Sequence, residues 1–399
     1  MPIFNSLGSN YNFSFATKAL FAGNDPKHSE ELEKYLQAKY QGKPVLLYKA
    51  REAIFLALKI LNLPKGSLVA INGYTCYAVY KAIVDAGYKP EYLDIIQGYL
   101  NFSAESFKRA LENNPSIKVL MIQNTLGYVC DIPAISEVCK SRNIILIEDL
   151  AHSIGSMYQD GREAGTVGDF TALSFSQDKT IDTVSGGALI IRNEKYQGYF
   201  MPAFESVDGK QQLKDRWYPM LTYKIRKSYF WGLGKLLHKL YKNLGILSQP
   251  MGKLETITLH KLPAWYSGLV FFQFQKLEDN LKHRKEIAEI YKANLSPKVL
   301  LTNLLPQVST TTNLRFPISI EGRDGLVAFL KKQNINVSDI WYDAPVAPEK
   351  YMRLTDYHNQ CPEAEKLSKK MLNLPTHINV NVAHAKYISE KINQWQTSQ

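Results

Sequence analysis

Lys179 is the residue with the most chemistry within reach. It follows the run Leu173-Ser174-Phe175 through Ser176-Gln177-Asp178, near enough to a strand end for its amine to be partly desolvated and to attack an aldehyde. A loop lysine is ordinarily just solvated, so the assignment needs partners. Asp149 is one. Ile144-Ile145-Leu146-Ile147 runs straight into Glu148-Asp149-Leu150-Ala151-His152, and a carboxylate after a buried strand faces a crevice from a low-dielectric wall. It either keeps a pyridine nitrogen protonated or caps the next helix. Ser174 offers a hydroxyl to a phosphate beside the lysine, and Ser185-Gly186-Gly187 supplies a tight turn. At Lys49-Ala50-Arg51-Glu52 a strand gives way to a helix, whose free N–H groups take an anion while Arg51 adds a charged contact; the alternative is an ordinary amphipathic helix start. In Gly73-Tyr74-Thr75-Cys76-Tyr77, an aromatic covers one face of a planar ring or packs into the core. A Schiff-base lysine, a carboxylate for a ring nitrogen and a phosphate cradle are what pyridoxal 5'-phosphate requires.

The elements that must position these residues alternate. Helical patterns at Glu30–Gln41, Arg51–Leu63, Tyr77–Ala86, Ala104–Glu112 and Ile132–Lys140 interleave with strand patterns. The strands are Pro44–Tyr48, Ser67–Asn72, Pro90–Asp94, Lys118–Gln123, Asn143–Glu148, Phe170–Phe175 and Ala188–Arg192. That order predicts an α/β domain with a mostly parallel sheet flanked by helices, and each candidate falls at a strand's C-terminal end, where such sheets hold ligands. A continuous helix is expected over Tyr266–Ala293. Beyond it come a strand at Leu314–Ile320 and helices at Gly325–Gln333, Ala364–Met371 and Val382–Gln396. The expected division is a large cofactor domain over residues 1–285, with an insert over about 205–258, and a smaller C-terminal α/β domain over 286–399.

Bulk properties narrow the class. The 399 residues are 45% hydrophobic and 21% charged, ordinary for a folded protein. Cys76, Cys130, Cys139 and Cys361 form no CxxC pair and no metal-ligand spacing, which points to a reducing compartment. The N-terminus lacks a basic start followed by an apolar run, so the expected location is cytoplasmic. Eight positive charges and no acidic residue lie between Asp215 and Glu255, leaving only +3 of the net +11 elsewhere. Charge so concentrated argues against a nucleic-acid coat. Within this segment Tyr229, Leu233, Leu236, Leu237, Leu240, Leu244 and Leu247 recur at helical spacing opposite Lys224, Lys235, Lys239 and Lys242, bounded by Pro219 and Pro250. Residues 216–253 therefore read either as a peripheral contact with an anionic membrane, as a helix packed on the protein or its partner subunit, or as a basic cleft steering a diphosphate.

The ordered set Ala53-Ile54, Gly73-Tyr74-Thr75, Glu148-Asp149-Leu150-Ala151-His152, Ser174-Phe175 with Lys179, and Gly186-Gly187 resembles the DegT/DnrJ/StrS family of sugar aminotransferases. Gly165-Thr166-Val167-Gly168-Asp169, the run from Gln273 to Tyr291 and Leu372-Asn373-Leu374-Pro375-Thr376-His377 extend the likeness over roughly residues 20 to 395. The resemblance implies a type I pyridoxal-phosphate fold and a homodimer with sites at the subunit interface. It also implies transfer of an amino group from glutamate to a keto-sugar nucleotide, for surface polysaccharide or glycoconjugate synthesis. It matches Lys179 to the Schiff-base lysine, Asp149 to the pyridine partner, Ser174 to a phosphate ligand and His152 to the usual glutamine beside the ring. Dehydratase relatives carry histidine in place of the lysine, so Lys179 favours transamination. The chain departs from the family at Ala50-Arg51, where a Gly-Thr or Ala-Thr turn is usual, and at Cys76, where a large residue is usual. A third departure falls at Leu259 or His260, where an asparagine reaches across the dimer. Two other readings remain: a lipid-linked or other non-nucleotide ketone as acceptor at a membrane surface, and a non-catalytic membrane-associated relative.

Overall fold

A computed structural model describes residues 2–199, 201–250 and 255–398; Lys253 of the basic segment lies outside them. Seven strands form one sheet in the spatial order Lys43–Leu47, Gly187–Ile191, Phe170–Ser174, Ile145–Asp149, Ile117–Ile122, Leu68–Asn72, Lys89–Leu93. Gly187–Ile191 runs antiparallel to both of its neighbours, and every other pairing is parallel. Helices cover both faces, so the central strands are apolar runs rather than alternating ones. Phe170–Ser174 and Gly187–Ile191 are buried at every position.

The helix Ala50–Leu61 shows why the site forms at one end of the sheet. Eight of its twelve residues are buried, among them Ala53 and Ala57, which let it lie close on the strands. It starts directly after the edge strand Lys43–Leu47, and its last turn closes on Asn62 in the left-handed conformation that asparagine tolerates. Its first turn abuts the Gly187 strand: a Cβ on Gly187 would lie 2.6 Å from the Ala50 nitrogen and 2.8 Å from the Lys49 carbonyl carbon. Only glycine permits that approach.

Downstream, Arg315–Ser319 pairs antiparallel with Met371–Pro375, backed by Arg323–Lys332, Pro362–Lys370 and Val382–Thr397. Two short parallel pairings tie the ends of the chain together: Ile3–Phe4 with Ile335–Asn336, and Thr75–Cys76 with Val346–Ala347. The second carries residues 339–348 over the C-terminal ends of the sheet strands.

Two expectations are corrected, and two elements were not anticipated. The helix expected over Tyr266–Ala293 is two helices, Ala264–Phe274 and Leu277–Asn294, separated at Gln275 and by Lys276 in the bridge region (φ −103°, ψ 3°). One such residue hardly disturbs apolar spacing, so periodicity alone misses it. Pro219 does not bound the insert's helix; it lies inside Gly209–Ser228. The break falls instead at Gly232 (φ +81°), ahead of Leu233–Asn243. The helix Phe13–Phe21, capped by the Asn12 side chain on the Phe15 N–H at 2.8 Å, was not anticipated, nor was the strand character of Met371–Pro375.

Candidate active site

The C-terminal ends of Ile145–Asp149 and Phe170–Ser174 and the start of Ala50–Leu61 converge on a cavity of ≈ 300 Å³. Lys49, Ala50, Arg51, Cys76, Asp149, His152, Ser174 and Lys179 all line it. Tyr74 does not: it is fully buried behind the wall, donating its hydroxyl to the Tyr342 carbonyl at 2.9 Å. The site therefore takes Cys76, not Tyr74, on that side.

Adjacent carboxylates show how the strand divides structural from chemical duty. Successive strand residues face opposite sides. Glu148 turns away and is saturated, accepting from the Tyr158 hydroxyl and from the Gly165, Val167 and Gly168 N–H groups at 2.6–2.8 Å. Asp149 faces the cavity, and one of its oxygens accepts from the Ala151 N–H at 2.9 Å. No described helix follows Asp149 before the next sheet strand, so this bond closes a turn and the helix-cap reading does not hold. Burial raises its pKa from 3.8 to about 6, opposed by the Ala151 N–H and by Lys179.

Lys179 is held by its backbone. Asp178 takes a positive φ of 62° and accepts from the Ser9 hydroxyl at 2.8 Å, while its N–H donates to Asp182 at 2.8 Å. The Lys179 carbonyl accepts from Asn10 at 2.9 Å. Its Nζ lies 4.3 Å from the centroid of Trp341, whose other contacts include the Arg315 guanidinium at 4.0 Å and a stacked His152 at 5.4 Å. Burial lowers the Lys179 pKa; Arg315 acts in the same direction, and Cys76, Asp149 and Asp178 oppose. A larger neutral fraction makes this amine a better nucleophile and proton carrier than a solvated one.

His152 is neutral, because burial lowers its pKa well below the usual value and the Lys179 and Arg315 charges reinforce the effect. The Leu126 N–H donates to its Nδ1 at 3.2 Å, which leaves the ring proton on Nε2. The Tyr342 hydroxyl lies 3.2 Å from the same Nδ1 and accepts from Gln123 at 2.8 Å. At the helix start, Lys49 donates from Nζ to the Ser185 hydroxyl at 2.7 Å; burial lowers its pKa to about 8. Arg51 donates to the Pro250 carbonyl at 2.6 Å. Of the candidates for the cross-subunit asparagine, Leu259 is buried, and His260 is held by Glu52 through its N–H (2.9 Å) and its ring Nδ1 (3.2 Å).

Trp341, Tyr342, Arg315, Lys49 and Gln123 were missed in the sequence. Lys49 alone had a local signal, since it stands where a strand meets the anion-binding start of a helix.

These residues fit pyridoxal phosphate. A cavity of suitable size joins a buried carboxylate, a lysine amine and a helix start carrying two cations, which the glycine at 187 brings close to the strand end. The fold and the site are those of a pyridoxal-phosphate-dependent transferase. The chain belongs to the DegT/DnrJ/EryC1/StrS aminotransferase family, whose model matches residues 22–228 and 239–393, and it is an aminotransferase dependent on that cofactor. It is 27% identical over 351 residues to GDP-perosamine synthase of Escherichia coli O157:H7, covering 86% of this chain and 83% of that protein. Helicobacter pylori PseC, an aminotransferase involved in the biosynthesis of pseudoaminic acid, superposes with a TM-score of 0.74 at 17% identity over the whole of both chains. Spr1654 from Streptococcus pneumoniae in its PMP form gives 0.72 at 19% identity over 100% of this chain and 99% of that one, and it has also been solved in a PLP form.

Proposed function

We propose that this enzyme moves an amino group from glutamate to a keto-sugar nucleotide for surface polysaccharide or glycoconjugate synthesis, as a cytoplasmic homodimer. The observation that carries the reading is that Asp149, buried at the end of one strand, and Lys179, half-buried in the loop after the neighbouring strand, line one cavity. The sugar aminotransferases among its relatives support the acceptor class. Bound pyridoxal phosphate supplies an electron sink for the carbon being deprotonated. Lys179 would anchor the cofactor and carry the proton at Nζ, and Asp149 would hold the ring nitrogen protonated. Ser174 and the Ala50–Arg51 helix start would hold the phosphate, and His152 and Cys76, which line the same cavity, would contact the ring. Residues 1–285 carry the cofactor and 286–399 close over it.

A lipid-linked ketone is the second reading for the acceptor. It is favoured by the tail of the basic insert, whose Ser248 and Pro250 carbonyls accept from Gln177 and Arg51 on the cavity wall. The non-catalytic reading has no support in a chain that keeps Lys179 and belongs to this family. Half-reaction spectroscopy with glutamate, then with a panel of keto-sugar nucleotides, tests the assignment. The visible cofactor band should bleach with glutamate, return with the right acceptor, and be missing in Lys179→Ala. If no keto-sugar nucleotide restores the band after glutamate has bleached it, the acceptor assignment is wrong.

A further inference from the structure

The family model leaves residues 229–238 unmatched, and these residues open an exposed apolar stretch. Trp231 is 78% exposed and Phe230 is exposed beside it. Along the helix Leu233–Asn243 and its C-cap, Leu236, Leu240 and Leu244 recur every fourth residue, at 63%, 47% and 63% exposure, with Leu233 continuing the stripe. The stripe is held outward. Gly234 is the helix's buried residue, and a Cβ there would collide with the Ile225 carbonyl and lie 2.6 Å from the Tyr229 backbone, so the helix start is pressed onto Gly209–Ser228. On the opposite side of this helix stand Lys235, Lys239 and Lys242, with Lys224 on the preceding helix, and none of the four forms an ion pair among the described residues. Arg216 to Leu254 contains no acidic residue.

Charge selects the occupant. A second copy packed on the leucines would leave these lysines without an anionic partner, whereas an anionic bilayer takes the leucines and Trp231 into its acyl boundary and sets its phosphates against the basic polar face. We propose that residues 229–247 dock on an anionic lipid surface. No described helix is long and apolar enough to cross a membrane, so the attachment is peripheral. Leu244 lies six residues before Pro250, whose carbonyl touches the cavity through Arg51, so the active site works within about 20 Å of the docked helix. The inference is independent of which acceptor the cavity takes.

Flotation of the full-length holoenzyme with vesicles tests it. The protein should rise with phosphatidylglycerol-containing vesicles at least about tenfold more tightly than with pure phosphatidylcholine, and be weakened by about 1 M salt. Each lysine near the surface strengthens binding about fivefold, so Lys235→Glu/Lys239→Glu/Lys242→Glu should lose roughly 100-fold or more. Leu236→Ser/Leu240→Ser should abolish flotation while keeping the cofactor band, the thermal midpoint and the subunit count in light scattering. No flotation of the wild type, equal binding to both vesicle types, or a changed subunit count in the leucine variant would each overturn the proposal, the last by making this face a contact between copies.

Discussion

A carboxyl group buried without a cation at contact distance is an awkward residue, and Asp149 is one until the cofactor arrives. Its pKa of about 6 means that the cofactor-free protein favours the protonated form at mildly acid pH. The raised value gives stability fully present below the unfolded pKa near 3.8, which is lost as pH rises through about 6. The two ends of that window differ by about 3 kcal/mol. Asp182, raised to about 7 by burial, has the same sign and extends the decline. His152, lowered well below its usual value, has the opposite sign as pH rises toward about 6.5, so the readout is a difference: between about pH 4 and pH 6 the apoenzyme's thermal midpoint should fall relative to that of Asp149→Asn, read by calorimetry across that range. The positive ring nitrogen of the cofactor favours the carboxylate, so the holoenzyme should hold its midpoint past pH 6 and the Asn variant should bind the cofactor at least about tenfold more weakly. Lys179, Asp149 and Ser174 were legible as cavity residues because each lies within a few residues of a strand end, whereas His152 was reached only through the family resemblance. Trp341 and Arg315 were not: Trp341 reaches the Lys179 amine from the segment ahead of the pairing of Val346–Ala347 with Thr75–Cys76, and Arg315 packs on the Trp341 ring from the strand Arg315–Ser319, contacts that no local pattern announces.

At the scale of elements, alternation of helix and strand carried most of the information. The seven strands of the sheet and the helices between them appear within a few residues of their expected bounds, since buried parallel strands and amphipathic helices write different periods. The failures sit where one residue redirects the chain without changing apolar spacing: Lys276 between two helices, Gly232 in the insert, Pro219 tolerated inside a helix. Spatial order was beyond the sequence as well, because it depends on which strands pair across the sheet. The junction of the Gly187 strand with the helix at Ala50 is the element-level feature on which the phosphate end of the site depends. Real Cβ atoms do not approach backbone to 2.6 Å, so Gly187→Ala must push the helix start away from the strand. The expected loss is about 1–3 kcal/mol in chemical denaturation. Titration of the apoenzyme should show weaker binding of pyridoxal phosphate with little change for pyridoxal, which lacks the phosphate. Equal weakening of both would mean that the junction supports the whole cavity rather than its anion end.

Across the whole molecule, Arg284 joins parts of the chain that meet nowhere in sequence. Its guanidinium is buried and donates to the Leu314 carbonyl (2.9 Å), the Thr376 hydroxyl (3.0 Å), the Asn280 side chain (3.1 Å) and Asn10 (2.8 Å). Asn10 in turn holds the Lys179 carbonyl and Asp182, so one side chain links the N-terminal segment, the long helix, the ends of two downstream strands and the lysine loop. Burial lowers its pKa to about 10, helped by Arg315 and opposed by Asp182 and Asp178, which leaves it charged at neutral pH. The run Gln273–Tyr291 drew notice as a family helix, but partners so distant in the chain gave no sign of this role. Arg284→Met keeps the bulk and strands four acceptors, and a buried charged hub of this kind costs about 3–5 kcal/mol when broken. The urea midpoint should drop accordingly. The holoenzyme should also shed cofactor faster during dilution, because the Lys179 loop loses its outer tether. Lys366→Ala, which removes an exposed pair with Glu363, should move neither measurement. If Arg284→Met lowered stability yet left cofactor release at the wild-type rate, the link from this arginine through Asn10 to Lys179 would be structural only.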